Sequence, residues 1–209
     1  MKTRHTWLRS HPSSLIPHSF FALLLIAFAA VPAVAAAAPR TFAITNDGKS
    51  RVGFRLDDTI EDIDGDTKTI SGAITADPDN LASASVTLTA DTASLDTGMK
   101  MRDDDMRDEY LEVKKYPAIT FKSTAVSGAT SIAAGQSADL KVAGDFTLHG
   151  VTRRIVVPVR VTLDTANRLH ATSKFTIRMT DYNITVPSKL VLNVANEVTV
   201  KFDVFAVAH

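Results

Sequence analysis

The chain has 209 residues, 45% hydrophobic and 22% charged, with 23 basic and 23 acidic groups. This composition excludes a mostly disordered chain, and the charge balance leaves no basic excess for neutralising phosphates, so no nucleic-acid partner is expected. Cysteine is absent, which removes disulfides, thiolate metal sites, iron–sulfur clusters and a cysteine nucleophile together.

Lys2, Arg4 and Arg9 are the only formal charges before Arg40. An uninterrupted apolar run follows from Phe20 to Val31, then the small residues Ala33-Val34-Ala35. A positive end, a short apolar core and an A-x-A site are the three parts of a secretory signal. The run is shorter than the roughly 20 apolar residues that span a bilayer. Residues 1–38 are therefore expected to be a signal peptide, cut near 35/36 or 38/39. Residues 39–209 are expected to be one exported domain, located in a bacterial periplasm because it lacks cysteine. Cleavage before Ala36 leaves 20 basic and 23 acidic residues, a net charge of −3.

From Thr41 onward the hydrophobic period is two, the signature of strands with one buried face. Val52, Phe54 and Leu56 share a face opposite Arg51 and Arg55. Ile70, Gly72, Ile74 and Ala76 follow, then Val86, Leu88 and Ala90, then Ile119 and Phe121. The longest runs are Leu140 to Leu148 and Ile155 to Leu163, followed by Ala171 to Ile177 and Val198 to Val204. Asn46-Asp47-Gly48, Asp77-Pro78-Asp79-Asn80, Gly128, Gly135, Ala166-Asn167 and Asn196 punctuate them. Short gaps favour antiparallel neighbours, and the long runs favour a closed barrel over a sandwich. The predicted fold is all-β: an extended antiparallel eight-stranded barrel.

One stretch departs from this period. Gly98 to Tyr116 (GMKMRDDDMRDEYLEVKKY) has Val113 as its only β-branched residue. Asp103, Asp104 and Asp105 precede Lys114 and Lys115 in the order that complements a helix dipole. Met99, Met106, Tyr110 and Leu111 form a narrow apolar stripe, and Tyr116-Pro117 ends the segment. A single short helix over 98–116 is predicted, placed to cap a barrel mouth.

Catalytic constellations are absent from the pattern, and no enzyme activity is expected. His149, His170 and His209 are far apart, with no metal-binding spacing. His149 reads as a turn or satisfied polar residue. Glu61-Asp62-Ile63-Asp64-Gly65-Asp66 mismatches a calcium loop, since Gly65 is two places early and Ala73 stands where a bidentate Glu is required. That cluster reads as a solvated loop. No metal and no cofactor are expected.

The alternating pattern fits a hollow barrel and a filled core equally. Gly72 and Gly144 on the inward face favour a cavity, because they supply no side chain to fill it.

Three stretches resemble the YceI family. They are Ser94-Leu95-Asp96-Thr97-Gly98 with Arg102-Asp103 and Tyr110-Leu111; Tyr116-Pro117-Ala118-Ile119-Thr120-Phe121-Lys122-Ser123; and Gly144-Asp145-Phe146-Thr147-Leu148-His149-Gly150. Ile177-Arg178-Met179-Thr180-Asp181-Tyr182-Asn183 is similar to that family's arginine–aromatic segment, with Asn183 where a glycine is common. The resemblance implies a lipocalin-like barrel exported to the periplasm that holds a polyisoprenoid chain, such as a quinone tail, in an apolar cavity.

The expected function is binding, transport or sequestration of an isoprenoid lipid. The alternative is a non-enzymatic structural or interaction barrel without a ligand. Expected cavity-lining residues are Phe54, Ile74, Leu88, Met99, Met106, Leu111, Phe121, Val142, Phe146, Val157, Val159, Phe175, Val200 and Phe202. Arg102, Asp103 and Arg178 are candidates for the mouth and head group. Arg102 and Asp103 would pair to hold a methionine-bearing lid or form a surface ion pair; Arg178 would touch the head group or be a surface charge. The lipid or quinone is the expected partner. Transient contact with a membrane or membrane protein, and a homodimer, are left open.

Overall fold

Alternation of apolar and polar residues produces strands wherever Val, Ile, Phe and Thr dominate. The computed structural model describes residues 38–45, 48–58, 61–187 and 194–208. Residues 1–37 of the expected signal segment, Asn46-Asp47 of the first turn, and His209 lie outside the described residues. The described residues form ten strands: β1 Arg40–Ile44, β2 Arg51–Leu56, β3 Ile63–Thr67, β4 Ile70–Asp77, β5 Asn80–Asp91, β6 Ala118–Gly128, β7 Gln136–Leu148, β8 Val151–Leu163, β9 Arg168–Arg178 and β10 Glu197–Ala208.

Every pairing is antiparallel. The circuit runs β1, β4, β5, β6, β7, β8, β9, β10 and closes where β10 returns to β1. One edge of β10 is shared: residues 206–208 pair with β1, and residues 198–203 pair with β2. β1 and β2 are thus successive halves of one position, and β3 and β4, which pair with them, fill the next. Ten strands occupy the eight positions of a closed barrel.

β3 corrects the expectation of a solvated acidic loop. Asp64 lies directly opposite Arg55, and Asp66 opposite Gly53. Arg55 binds Asp62 and Asp64, and Arg51 approaches Asp66 at 3.7 Å. Residues 63–67 of the run are strand, with Glu61 and Asp62 preceding it, and Arg51 and Arg55 of β2 lie on the face that meets its carboxylates.

Two features shape the wall. The ladder between β8 and β9 covers only residues 159–163 against 169–173. It ends at Pro158, which has no N–H to donate; its carbonyl instead accepts the Ser173 hydroxyl at 2.6 Å. In β6 the register shifts between Ser123 and Ala125. The Ser123 hydroxyl accepts the Val86 N–H at 2.8 Å, and Val126 turns inward.

The two inward glycines do not mark empty space, contrary to expectation. A Cβ on Gly144 would lie 2.5 Å from the Phe121 ring, and one on Gly72 would lie 2.1 Å from the Thr87 carbonyl oxygen. Gly144 makes room for Phe121. Gly72, at φ +149°, allows close approach of the backbone of β5.

The helix is shorter than predicted. α1 spans Lys100–Asp105 and passes into one wide, π-type turn over Met106–Tyr110. Glu112 has φ +41°, which ends the helical path before Pro117 is reached. Lys114 and Lys115 fall beyond the helical segment, so dipole matching does not explain the acidic triplet.

Candidate ligand cavity

Two spaces lined almost wholly by apolar side chains lie among the inward residues. The first, of about 450 Å³, lies beneath α1. Its walls are Val52, Phe54 and Leu56 of β2, Phe146 and Leu148 of β7, and Val198 and Val200 of β10. Its roof is Leu95, Met99, Met101, Met106, Tyr110 and Leu111. The second, of about 100 Å³, lies toward the other end, among Leu88, Phe121, Leu140, Val142, Val157 and Phe202. Phe175 touches both sets: its ring centroid is 6.0 Å from that of Phe146 and 5.4 Å from that of Phe202.

The predicted lining therefore divides. Phe54, Met99, Met106, Leu111, Phe146 and Val200 line the larger cavity, with Arg102. Ile74, Leu88, Phe121, Val142, Val157, Val159 and Phe202 line the smaller one. Phe175 packs between them. Sequence reasoning missed Leu95, Met101, Tyr110, Met179, Ile184 and Val198, all in the larger cavity. Tyr110 already stood in the apolar stripe of the helix, and Val198 continues the alternation of Val200 and Phe202. Leu95, Met179 and Ile184 sit in irregular segments, where no period exposes them.

A compact hydrogen-bonded unit anchors the roof, and Thr97 is its centre. Asp103 Oδ1 accepts the Thr97 N–H at 2.9 Å and the Thr97 hydroxyl at 2.6 Å. Arg102 donates through Nε to Thr97 Oγ1 and through Nη2 to the Thr97 carbonyl, both at 2.8 Å. Arg102 and Asp103 do not pair with each other as expected; both grip Thr97. Asp103 is 4% exposed, so it supports the roof from within and is not a mouth residue. Burial works against its charge, but the hydrogen bonds from Thr97 and the nearby Arg107 guanidinium outweigh it, holding the carboxyl below the ordinary carboxylate range. Asp96 exchanges backbone bonds of 3.0 Å with Asp66, fastening the same unit to β3. Arg107 Nη2 donates to the Leu95 carbonyl at 2.5 Å.

A second clasp holds the end of the roof segment. His149 and Gly150 form the tight β7–β8 turn, with φ +50° and +72°. His149 Nε2 lies 2.9 Å from Glu112 Oε2, and Nδ1 lies 3.1 Å from the Tyr182 carbonyl. Both partners are hydrogen-bond acceptors, so the ring is engaged on both sides as a tie. Tyr116 packs edge-on against His149 at 4.4 Å and occupies the space a Cβ on Gly150 would need. Arg178 is outside: it is exposed and forms a two-pronged pair with Asp181, both bonds at 3.1 Å. Of its two expected readings, the surface charge is the one its position fits. Among the described residues no cluster of His, Asp and Glu has the arrangement of a metal site.

The motifs singled out in the sequence thus meet in space. Ser94 to Gly98 with Arg102-Asp103 is the roof anchor, Tyr116 covers Gly150, and Phe121 fills the place of Gly144. Residues 44–206 match the YceI-like domain. The chain belongs to the YceI family. Among YceI-family relatives, a UPF0312 protein of Vibrio cholerae is 40% identical over 96 residues, 46% of this chain and 48% of its own length. Protein YceI of Escherichia coli is 35% identical over 98 residues, with the same 46% and 48% shares. The chain thus spans about half the length of these curated relatives. The crystal structure of BcnA from Burkholderia cenocepacia superposes with a TM-score of 0.67 at 26% identity, over 78% of this chain and 98% of BcnA. A polyisoprenoid-binding domain from Saccharophagus degradans superposes with a TM-score of 0.65 at 21% identity, over 82% of this chain and all of that domain. These likenesses agree with the YceI barrel built above from strand register.

Proposed function

We propose that this YceI-family protein binds an elongated apolar ligand, an isoprenoid lipid, in the cavity beneath α1. The observation that carries the reading is the cavity itself: about 450 Å³ of space walled by Val, Leu, Ile, Phe and Met. Sites for small molecules commonly occupy about 300–1,000 Å³. The barrel shared with a polyisoprenoid-binding domain supports the same ligand class.

Burial is the mechanism. Each methylene removed from water contributes about 0.8 kcal/mol, so a chain of isoprene units needs few polar contacts. The charged residues of the lining are Asp58, Glu61, Asp105 and Arg102. Three carboxylates against one guanidinium disfavour a diphosphate and favour an uncharged head, such as a quinone or an alcohol. His149, the one histidine near this end among the described residues, is engaged on both ring nitrogens, which supports binding without catalysis. Exported as its leader pattern indicates, the protein would carry or sequester such a lipid in the periplasm.

Organic extraction of the protein purified from producing cells, followed by mass spectrometry, tests the reading. A neutral isoprenoid lipid is expected in the extract. No lipid in the extract, together with no uptake of added polyprenol by the stripped protein, would contradict it and favour a barrel without a ligand.

A further inference from the structure

The sulfur atoms of the described residues are gathered in one place. The chain has five methionines and no cysteine. Every methionine after Met1, namely Met99, Met101, Met106 and Met179, lines the larger cavity. They are graded from outside to inside. Met101 is 78% exposed, Met99 is 53% exposed, Met106 is half-buried and Met179 is 6% exposed. Met99 and Met101 are also two of the three large hydrophobic residues exposed among the described residues. Packing does not require sulfur at such positions, because exposed side chains there gain little from a flexible thioether.

We propose that Met99 and Met101 are an oxidation-sensitive rim, and that their conversion to sulfoxides lowers the cavity's affinity for apolar ligands. The inference rests on the reading of the cavity as an apolar binding site. The oxidant class is a two-electron peroxide. The thioether sulfur attacks one peroxide oxygen, an S–O bond forms, the O–O bond breaks, and hydrogen peroxide leaves as water. Sulfur is oxidised by two electrons and peroxide oxygen is reduced. The product is polar and accepts hydrogen bonds, where the reduced side chain was apolar. Nearby cations are already engaged, Lys100 with Asp104 at 2.6 Å and Arg102 with Thr97. A sulfoxide oxygen turned toward the ligand would then oppose apolar contact.

The roof is held by Thr97, Asp103, Arg102 and Arg107, none of which contains sulfur. Oxidation therefore changes the lining without removing the anchor, and a thiol-driven sulfoxide reductase can reverse it: two thiols become a disulfide, and the oxygen leaves as water.

The test uses the exported protein stripped of lipid, with N-phenylnaphthylamine as an apolar fluorescent probe, before and after mild treatment with hydrogen peroxide. Peptide mass spectrometry is expected to find one added oxygen at Met101 and Met99 before Met106 and Met179. Probe affinity is expected to fall roughly tenfold, the scale for burying one unpartnered polar group, and to return after treatment with methionine sulfoxide reductase and thiol. Met99→Leu/Met101→Leu, which cannot form these sulfoxides, is expected to keep its affinity under the same treatment. Unchanged affinity of oxidised wild type, or an equal loss in the double variant, would overturn the inference while leaving the cavity reading intact. No probe binding by untreated protein would overturn the cavity reading and the inference with it. An unchanged thermal melt on treatment would show that lost affinity is not lost fold; a collapsed melt would overturn the proposal of a reversible rim.

Discussion

The two ends of the barrel are built from the same alternating strands, yet one end is filled and the other is open. At the filled end, β8 is paired on both sides, with β7 and, over residues 159–163, with β9, and Val142, Val157 and Leu140 line the same small space as Phe121. About 100 Å³ remains. At the open end, β8 leaves β9 at Pro158, β2 and β3 replace β1 and β4 in the wall, and the irregular β5–β6 connection forms a roof. About 450 Å³ remains there. A pleated ladder brings inward side chains close enough to interlock, whereas a wall that splays under a roof of Met and Leu does not. Hydrophobic alternation alone therefore does not distinguish core from cavity; the backbone departures do.

Removing the large ring at the centre of the filled end should have the largest effect. Phe121→Ala takes away a 5% exposed ring that fills the space of Gly144. Its expected cost is about 3–5 kcal/mol, read from urea unfolding. A loss well under that range would mean that the filled end is looser than described.

Adding volume distinguishes the ends more sharply. Gly144→Leu collides with Phe121 and the Lys122 carbonyl, and Val159→Phe enters the small space. Each should destabilise by about 1–3 kcal/mol. Val198→Phe points into the large cavity. It should leave the stripped protein within about 1 kcal/mol of wild type, a smaller change than typical overpacking, while abolishing probe binding. Equal melting losses for all three variants would contradict the comparison.

Much of the wall was legible in the sequence. Val52, Phe54 and Leu56, and the run from Leu140 to Leu148, announce their inward faces by period alone. The acidic strand β3 was less so, because its partners Arg51 and Arg55 are identified only when the hairpin register is known. The cavity was least legible. Gly144 looks like a vacancy in one strand, but it is occupied by Phe121 from the neighbouring strand. Pro158 was the readable clue, a residue that ends a ladder inside an otherwise regular strand, and it coincides with the splay. Thr97 gives no period at all, and its role depends on Arg102 and Asp103 folding back along the chain.

Smaller effects are expected at the roof. Asp103→Asn weakens the grip on Thr97, and hydrogen exchange over residues 98–111 should quicken while residues 153–163 stay protected. Acid should act in the same way. The Asp103 carboxyl titrates lower in the folded protein than in the unfolded chain, so its contribution is full above the ordinary carboxylate value of about 4. It is lost as pH falls through the lower folded value. Exchange corrected for its intrinsic pH dependence should therefore show the roof loosening below about pH 4 in wild type, with no comparable change in Asp103→Asn. Loosening of the β7–β8 ladder at the same pH in both proteins would place the acid sensitivity elsewhere.

If one end of the barrel holds the ligand, photolabelling with a diazirine-bearing isoprenoid alcohol, followed by peptide mapping, should locate it there. Labels are expected on the roof and the open-end walls, at Met99, Met106, Leu111 and Val198, and are expected to be lost in Val198→Phe. Labels concentrated at Leu140, Val161 and Leu169 of the filled end, or on the exposed Val156 of the outer wall, would contradict it.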